Sequence, residues 1–260
     1  VVRDFTGRTV IVTGAGSGIG RATAVLLATE GAELTLVDVD EQGLAGTGDE
    51  LEKASPGSRA LLVTADVSRE EEVAGYVRAT METFGRIDGV VNNAGIEGKH
   101  GLTEDYGTEE LDRVIGVNLV GVHLGMRHTL KIMREQRRGA IVNMASLAGI
   151  RGVAQRAGYV AAKHGVIGLT RSAALEYGRF GIRVNAIAPG GVLTPLVERA
   201  MREAGGDNWR ELADAAGTPM GRLGAPEDIA APVAFLLSPE AAFINGTVLT
   251  IDGGQSTAAF

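Results

Sequence analysis

Tyr159 and Lys163 stand four residues apart, and Ser146 stands thirteen residues before the tyrosine. On a helix, residues at i and i+4 share a face, so an ammonium at 163 would lie beside a phenol at 159 and favour its ionised form. A phenol in that setting can take a proton from an alcohol and give one to an alkoxide. Hydride transfer between an alcohol carbon and an acceptor needs that proton movement in both directions. The ordinary phenol pKa, about 10, has to fall if the group is to serve as a base near neutrality. The spacing also arises by chance on amphipathic helices, so its weight depends on what the rest of the chain sets around it.

The run Thr9-Val-Ile-Val-Thr-Gly-Ala-Gly-Ser-Gly-Ile-Gly20 passes from apolar residues into glycines and then into the helix-like Arg21–Ala28. A strand, a glycine turn and a helix N-terminus together make a cradle for a dinucleotide diphosphate, which meets free backbone N–H groups and the positive helix end. The spacing is T-G-x-x-x-G-I-G through Gly14, Gly18 and Gly20, with Ser17 and Ile19 between them, and not G-x-G-x-x-G. Asp38 ends the next apolar run eighteen residues after Gly20. A carboxylate at that distance accepts hydrogen bonds from the adenosine ribose and repels a 2′-phosphate, which favours NAD over NADP. Ala15, Ser17 and Val39 add no basic side chain there; Arg21, one turn into the helix, is the counterargument.

With Ser146, Tyr159 and Lys163, these blocks resemble the short-chain dehydrogenase/reductase family. The likeness continues in order through Asp66-Val67, Asn92-Asn-Ala-Gly95, Asn118, Asn143-Met-Ala-Ser146, Asn185–Gly190, Thr194 and Asp252-Gly-Gly254. Asn93–Lys99, Leu130–Gln136 and Ala161–Gly165 look like the levodione reductase subgroup of that family. The resemblance implies a catalytic set of Asn118, Ser146, Tyr159 and Lys163. In it Ser146 holds the substrate oxygen, Lys163 also holds the nicotinamide ribose, and Asn118 holds a water that connects the lysine to solvent. It further implies cofactor contacts from Gly14, Ser17, Gly18, Ile19, Gly20, Asp38, Val39, Asp66, Val67, Asn93, Ala94, Gly95, Pro189, Gly190, Val192 and Thr194, with Asp252-Gly-Gly254 shaping the tail and subunit contacts. A homotetramer built on the long helices and the C-terminal segment follows from the same analogy.

The elements that must hold these residues follow from hydrophobic periodicity. Short apolar runs at Thr9–Thr13, Glu33–Asp38, Ala60–Thr64, Gly89–Asn92, Ala140–Met144, Arg183–Ala188 and Thr247–Ile251 read as buried parallel strands. Helical periods fill Arg21–Ala28, Glu41–Ala54, Arg69–Phe84, Glu110–Glu135, Tyr159–Arg179 and Pro226–Leu237. Strand alternating with helix predicts an α/β fold: one Rossmann-type doubly wound domain over residues 1–260, its seven-stranded parallel sheet covered by helices on both faces. Ser68 and Glu71 read as a capping box, and Pro226 as a first helical residue. The stretch from about 190 to 224 lacks a clear strand and reads as a substrate lid with short helices.

Bulk properties narrow the function. The chain has 260 residues, 45% of them hydrophobic, a net charge of −7 and a pI near 5.2. An acidic surface excludes a nucleic-acid partner, and apolar runs too short to span a bilayer, with no signal-like start, predict a cytoplasmic protein. Zero cysteines exclude thiolate chemistry and sulfur-ligated zinc, and His100, His123, His128 and His164 show no metal-binding spacing, so no metal is expected. Ile96, Glu97, His100, Leu147, Val153, Gln155, Leu196, Met201 and Trp209 are candidates for the substrate wall. Most are apolar, which suits a small hydrophobic secondary alcohol or ketone as the small-molecule partner, and the subgroup resemblance implies a cyclic one. A 3-oxoacyl-(acyl-carrier-protein) reductase, a sugar-nucleotide epimerase or dehydratase, and a non-catalytic nicotinamide-binding sensor are the competing readings. The acidic balance and Asp38 speak against the first, chain length against the second, and the intact Ser146, Tyr159 and Lys163 against the third.

Overall fold

A computed structural model describes residues 3–205, 208–209 and 218–257. The apolar runs form strands β1 (Thr9–Thr13), β2 (Glu33–Asp38), β3 (Ala60–Thr64), β4 (Gly89–Asn92), β5 (Gly139–Met144), β6 (Ile182–Pro189) and β7 (Val248–Ile251). They pair in parallel in the order β3-β2-β1-β4-β5-β6-β7. Around them lie α1 (Gly18–Thr29), α2 (Glu41–Ala54), α3 (Glu70–Phe84), α4 (Thr108–Ile115), α5 (Gly121–Gln136), α6 (Ala157–Tyr177), α7 (Pro195–Gly205) and α8 (Pro226–Leu237). This is the doubly wound sheet that the periodicity predicts, and among the described residues no helix is long and apolar enough to cross a membrane.

Alternation along each strand divides the core between two layers. Val10, Val12, Leu34 and Leu36 pack with Leu27, Ile229 and Val233 on the face covered by α1 and α8. Ile11, Val37 and Val90 point the other way, into a layer with Tyr76, Leu130 and Val166 from α3, α5 and α6. Strands buried on both faces must be apolar throughout, which is why β1 and β4 carry no alternating polar residue inside the sheet. Chain order reverses between β1 and β4, so the loops at their C-terminal ends diverge and open a crevice there.

Two expectations are corrected. The helix read over Glu110–Glu135 is interrupted: α4 and α5 are joined by a π-helical turn at Gly116–Val120, closed by the Gly121 N–H on the Gly116 carbonyl. Ser68 and Glu71 make no capping box, because Asp66 captures the serine first. The Ser68 N–H and hydroxyl both donate to Asp66 Oδ1, at 2.9 and 2.7 Å, and Glu72 reaches back to the Asp66 N–H at 2.6 Å. Such an Asx turn offers the backbone a partner that a serine cap would otherwise supply.

Candidate active site

The crevice at the β1–β4 switch point is a cleft of about 610 Å³. Gly14 begins its floor in the left-handed region, with φ at 66°. A Cβ at Gly14 would meet Asn93 Nδ2 at 2.7 Å and Ala94 Cα at 2.8 Å, so glycine is what lets the two loops touch. Thr13 ties them from below: its Oγ1 accepts the N–H of Asn93 at 3.0 Å and of Ala94 at 3.1 Å, while Asn93 Nδ2 donates to the Thr13 carbonyl at 3.0 Å. Asp38, at the end of β2, accepts the Gly16 N–H at 2.8 Å and the Asp40 N–H at 3.0 Å.

On the other wall, the chain leaving β5 is extended at Ser146, whose Oγ accepts the Ala148 N–H at 3.1 Å and starts a 3-10 turn over Leu147–Gly149. A side chain at Gly149 would lie 2.7 Å from the Lys163 carbonyl, so glycine allows this turn to rest directly on α6. The serine is thereby brought to the residues on the first two turns of that helix. Lys163 is 3% exposed, its Nζ donates to the Met144 carbonyl at 2.7 Å, and it lies 5.5 Å from the centre of the Tyr159 ring. Tyr159 and Ser146 line the same cleft, and the serine hydroxyl acts on the phenol.

The electrostatics differ from the simple expectation of a depressed phenol. Burial pushes the Tyr159 pKa above its usual value, against the lowering effect of the Ser146 hydroxyl, with Glu97 raising it and Arg156 lowering it further out. The same burial brings Lys163 down to about 8. Both shifts have the same largest cause, the loss of water around a charge, and the lysine ammonium lies over the face of the Tyr159 ring.

Asn118 is fully buried in the π turn, where its amide pairs with one residue of the loop after β4: Nδ2 donates to the Ile96 carbonyl at 2.8 Å and Oδ1 accepts the Ile96 N–H at 2.9 Å. A Cβ on Gly95 would meet Asn118 Oδ1 at 2.7 Å and Lys163 Nζ at 3.6 Å, so this loop threads between asparagine and lysine. The π turn changes the local hydrogen-bond register from i+4 to i+5 and displaces the backbone around Asn118.

Gly14, Ser17, Gly18, Ile19, Asp38, Val39, Asp66, Val67, Asn93, Ala94, Gly95, Pro189, Gly190, Val192 and Thr194 all line this cleft, together with Ser146, Tyr159 and Lys163. Gly20 lies just beneath, where a Cβ would meet Asn93 Nδ2 at 2.7 Å and run into the Gly14 carbonyl. The volume of the cleft, its glycine floor and the Asp38 carboxylate in its lining fit a dinucleotide. Ala65, Arg113, Val117, Met144, Ala145, Pro195, Val197 and Arg199 also line it. Arg113 and Val117 lie one turn apart on adjoining segments, a face that could have been read from the sequence had the position of the loop at Ile96 been known.

The residues expected in the substrate wall are divided. Ile96 lines the cleft, whereas Glu97, His100, Leu147, Val153, Gln155, Met201 and Trp209 do not. Glu97 is held in an ion pair with Arg156, with His100 Nε2 3.7 Å away, and Leu147 is turned into the interior. Trp209 is buried beneath the Arg202 guanidinium, 4.7 Å from the ring centre. The side chain of Leu196 lies outside the described residues, as do 206–207 and 210–217 of the expected lid. Asp252-Gly-Gly254 packs against the sheet edge, since a Cβ at Gly190 would meet Asp252 Cβ at 2.7 Å. Among the described residues no group of three His, Cys, Asp or Glu could hold a metal.

A family model described as enoyl-(acyl carrier protein) reductase matches residues 14–256. Levodione reductase of Leifsonia aquatica is 54% identical over 98% of this chain and 96% of its own length. A crystal structure of levodione reductase superposes with a TM-score of 0.96, covering 98% of this chain and 100% of that one. Cyclohexanol dehydrogenase of Acinetobacter sp. (strain SE19) is 39% identical over 97% of this chain and 96% of its own. The structure of an NAD+-bound xylitol dehydrogenase, 35% identical, gives a TM-score of 0.91 over 97% of this chain and 100% of that one.

Proposed function

Since the chain belongs to the short-chain dehydrogenase/reductase family, we propose that it is an NAD-dependent oxidoreductase that moves hydride between nicotinamide and the carbinol or carbonyl carbon of a small, hydrophobic, cyclic secondary alcohol or ketone. The observation that carries this reading is the convergence of Ser146, Tyr159 and Lys163 in one cleft of about 610 Å³ with the glycine loop and Asp38. The ring-shaped substrate class rests on the cyclohexanol dehydrogenase relative and on an apolar lining that includes Ile96, Val192 and Val197.

Nicotinamide, when bound, would supply the hydride acceptor or donor and, oxidised, a positive charge. The chain supplies the proton chemistry. In ketone reduction Tyr159 gives its Oη proton to the forming alkoxide, and the raised pKa keeps that proton in place beforehand. In alcohol oxidation the same oxygen accepts the proton, which requires positive charge at Lys163 to stabilise the phenolate. Ser146 orients the reacting oxygen. Asn118 anchors the loop that separates it from Lys163.

Preference for NAD over NADP is supported by the Asp38 carboxylate, which would face an added phosphate, and by the engagement of Arg21 elsewhere. Pro195, Val197 and Arg199 bring α7 to the cleft, which supports a lid role for this segment. A homotetramer is supported by apolar side chains left exposed on the helices expected to pair: Val120 at 38% and Leu175 at 87%. A solution mass of four times 26.9 kDa is the expected result.

The description of the matching family model favours a second reading, an acyl-carrier-linked reductase. A net charge of −7 opposes docking of an acidic carrier. The deciding assay follows nicotinamide absorbance with cyclohexanol, cyclic ketones and an acyl-carrier thioester, each with NAD(H) and NADP(H). Turnover of ring substrates with NAD(H) is expected; turnover confined to the thioester, or to NADP(H), rejects the reading.

A further inference from the structure

Arg21 stands at the start of α1 but turns away from the cleft, toward α2. Its Nη2 donates to the Gly16 carbonyl at 2.5 Å and to the Gly43 carbonyl at 3.2 Å; Nε donates to Thr47 Oγ1 at 2.9 Å, and Nη1 to Glu50 Oε1 at 2.9 Å. The buried Thr47 hydroxyl in turn donates to the Ala15 carbonyl at 2.8 Å. Two consecutive carbonyls of the glycine loop are therefore drawn toward α2. Helix α2 comes close enough only because position 43 is glycine: a Cβ there would lie 2.9 Å from the Gly16 oxygen.

The consequence follows from peptide geometry. In a planar trans peptide the C=O and the following N–H point in opposite directions. Holding the Gly16 oxygen against Arg21 directs the Ser17 N–H to the other side, where Ser17 lines the cleft at the residue before the first turn of α1. Asp38 holds the Gly16 N–H from its own side, so the residue is gripped at both polar atoms. We propose that Arg21 is a positioning residue for the cofactor diphosphate: by fixing the Gly16 carbonyl on α2 it aims the loop amides into the cleft, and it does not itself recognise a phosphate. This rests on the dinucleotide-dependent reading above. A guanidinium already shared among two carbonyls, a hydroxyl and the Glu50 carboxylate has its charge and its fork of donors committed.

The test compares binding of NADH, NADPH, ADP and adenosine to the wild-type protein and to Arg21→Met, Arg21→Lys and Thr47→Val. Arg21→Met is expected to weaken NADH, NADPH and ADP by one common factor, about tenfold, the size of one lost charge-assisted hydrogen bond, while adenosine is held as before. KM for NADH should rise by the same factor, with kcat at saturating cofactor within about twofold of wild type. Arg21→Lys should recover part of the loss, since one ammonium can still reach the Gly16 carbonyl. Thr47→Val should give a smaller loss in the same pattern, and it serves in place of Arg21→Met if that variant does not fold.

Loss confined to NADPH would make Arg21 a 2′-phosphate ligand and overturn the assignment. Unchanged NADH affinity in Arg21→Met, or equal losses for ADP and adenosine, would overturn it too. Failure of the wild-type protein to bind NADH rejects the dinucleotide reading itself, a different result from wild-type binding that Arg21→Met leaves untouched.

Discussion

Lys163 is an amine with little water around it, one carbonyl as a hydrogen-bond partner and a pKa brought down from 10.5 to about 8 by burial. Below pH 8 the amine is charged in both folded and unfolded protein, and the folded state carries the full cost of the buried charge. As pH rises from 8 to 10.5 the unfolded chain holds more protons than the folded one, so stability increases, and above 10.5 the penalty has gone. Lys163→Met should therefore stabilise the protein at pH 7 by about 1–3 kcal/mol, less than the shift alone implies because the bond to Met144 is lost. Denaturant midpoints of wild type and variant should converge between pH 8 and 10.5, while turnover is lost at every pH. Tyr159→Phe is the complementary change. It removes one oxygen that gives and takes the proton, so kcat should fall by roughly 10²–10⁴-fold, with NADH affinity kept within about threefold. A variant that retains a tenth of wild-type turnover would remove Tyr159 from the reaction.

The glycine loop and the π turn are local conformations, and they differ in how far a sequence can announce them. Gly14 and Gly20 declare themselves, because close backbone approach admits only one side chain. Gly20→Ala should cost about 2–4 kcal/mol, since its Cβ would run into the Gly14 carbonyl, a backbone group that cannot swing aside as the Asn93 amide could. Urea unfolding of the apoprotein measures this without reference to activity; an unchanged midpoint would mean that the loop has slack which the Gly14–Gly20 contact denies. The π turn left no such mark. Gly116 and Gly121 flank it, but the apolar period runs on across both, and the change from i+4 to i+5 pairing shows only when Asn118 is seen to reach Ile96 on another loop. The position of Glu97 was illegible for a related reason. Order along the chain places Glu97 beside the cleft, yet its side chain is claimed by Arg156, at a sequence separation that no local pattern encodes. The glycine floor and the Ser146, Tyr159 and Lys163 cluster were legible because each is fixed by spacing within one strand–loop–helix unit.

At the scale of the molecule, the cleft lies where the two halves of the sheet meet, and its two ends belong to different halves. Asp38 and Val39 follow β2 on one side of the switch point; Ser146, Tyr159, Lys163 and Thr194 come from beyond β5 and β6 on the other. A ligand spanning the cleft therefore bridges parts of the sheet that the unfolded chain does not keep together, and its binding energy adds to folding stability. At a hundred times its dissociation constant NADH should add about 2.7 kcal/mol, and for a chain of this length that is roughly 5–10 °C in the unfolding midpoint. ADP occupies only the β2 half and the glycine floor. At equal multiples of their dissociation constants the two ligands must stabilise equally, so their difference appears at equal concentration, where NADH gains its contacts beyond β5. Thermal scans at fixed ligand concentration should rank NADH above ADP, and Asp38→Ala should lower both shifts. The variant loses a ribose acceptor and the anchor of the Gly16 N–H in one change. A shift for NADH no larger than for ADP would mean that the nicotinamide half makes no contact with the protein, and the proton chemistry assigned to Tyr159 would then have nothing beside it to serve.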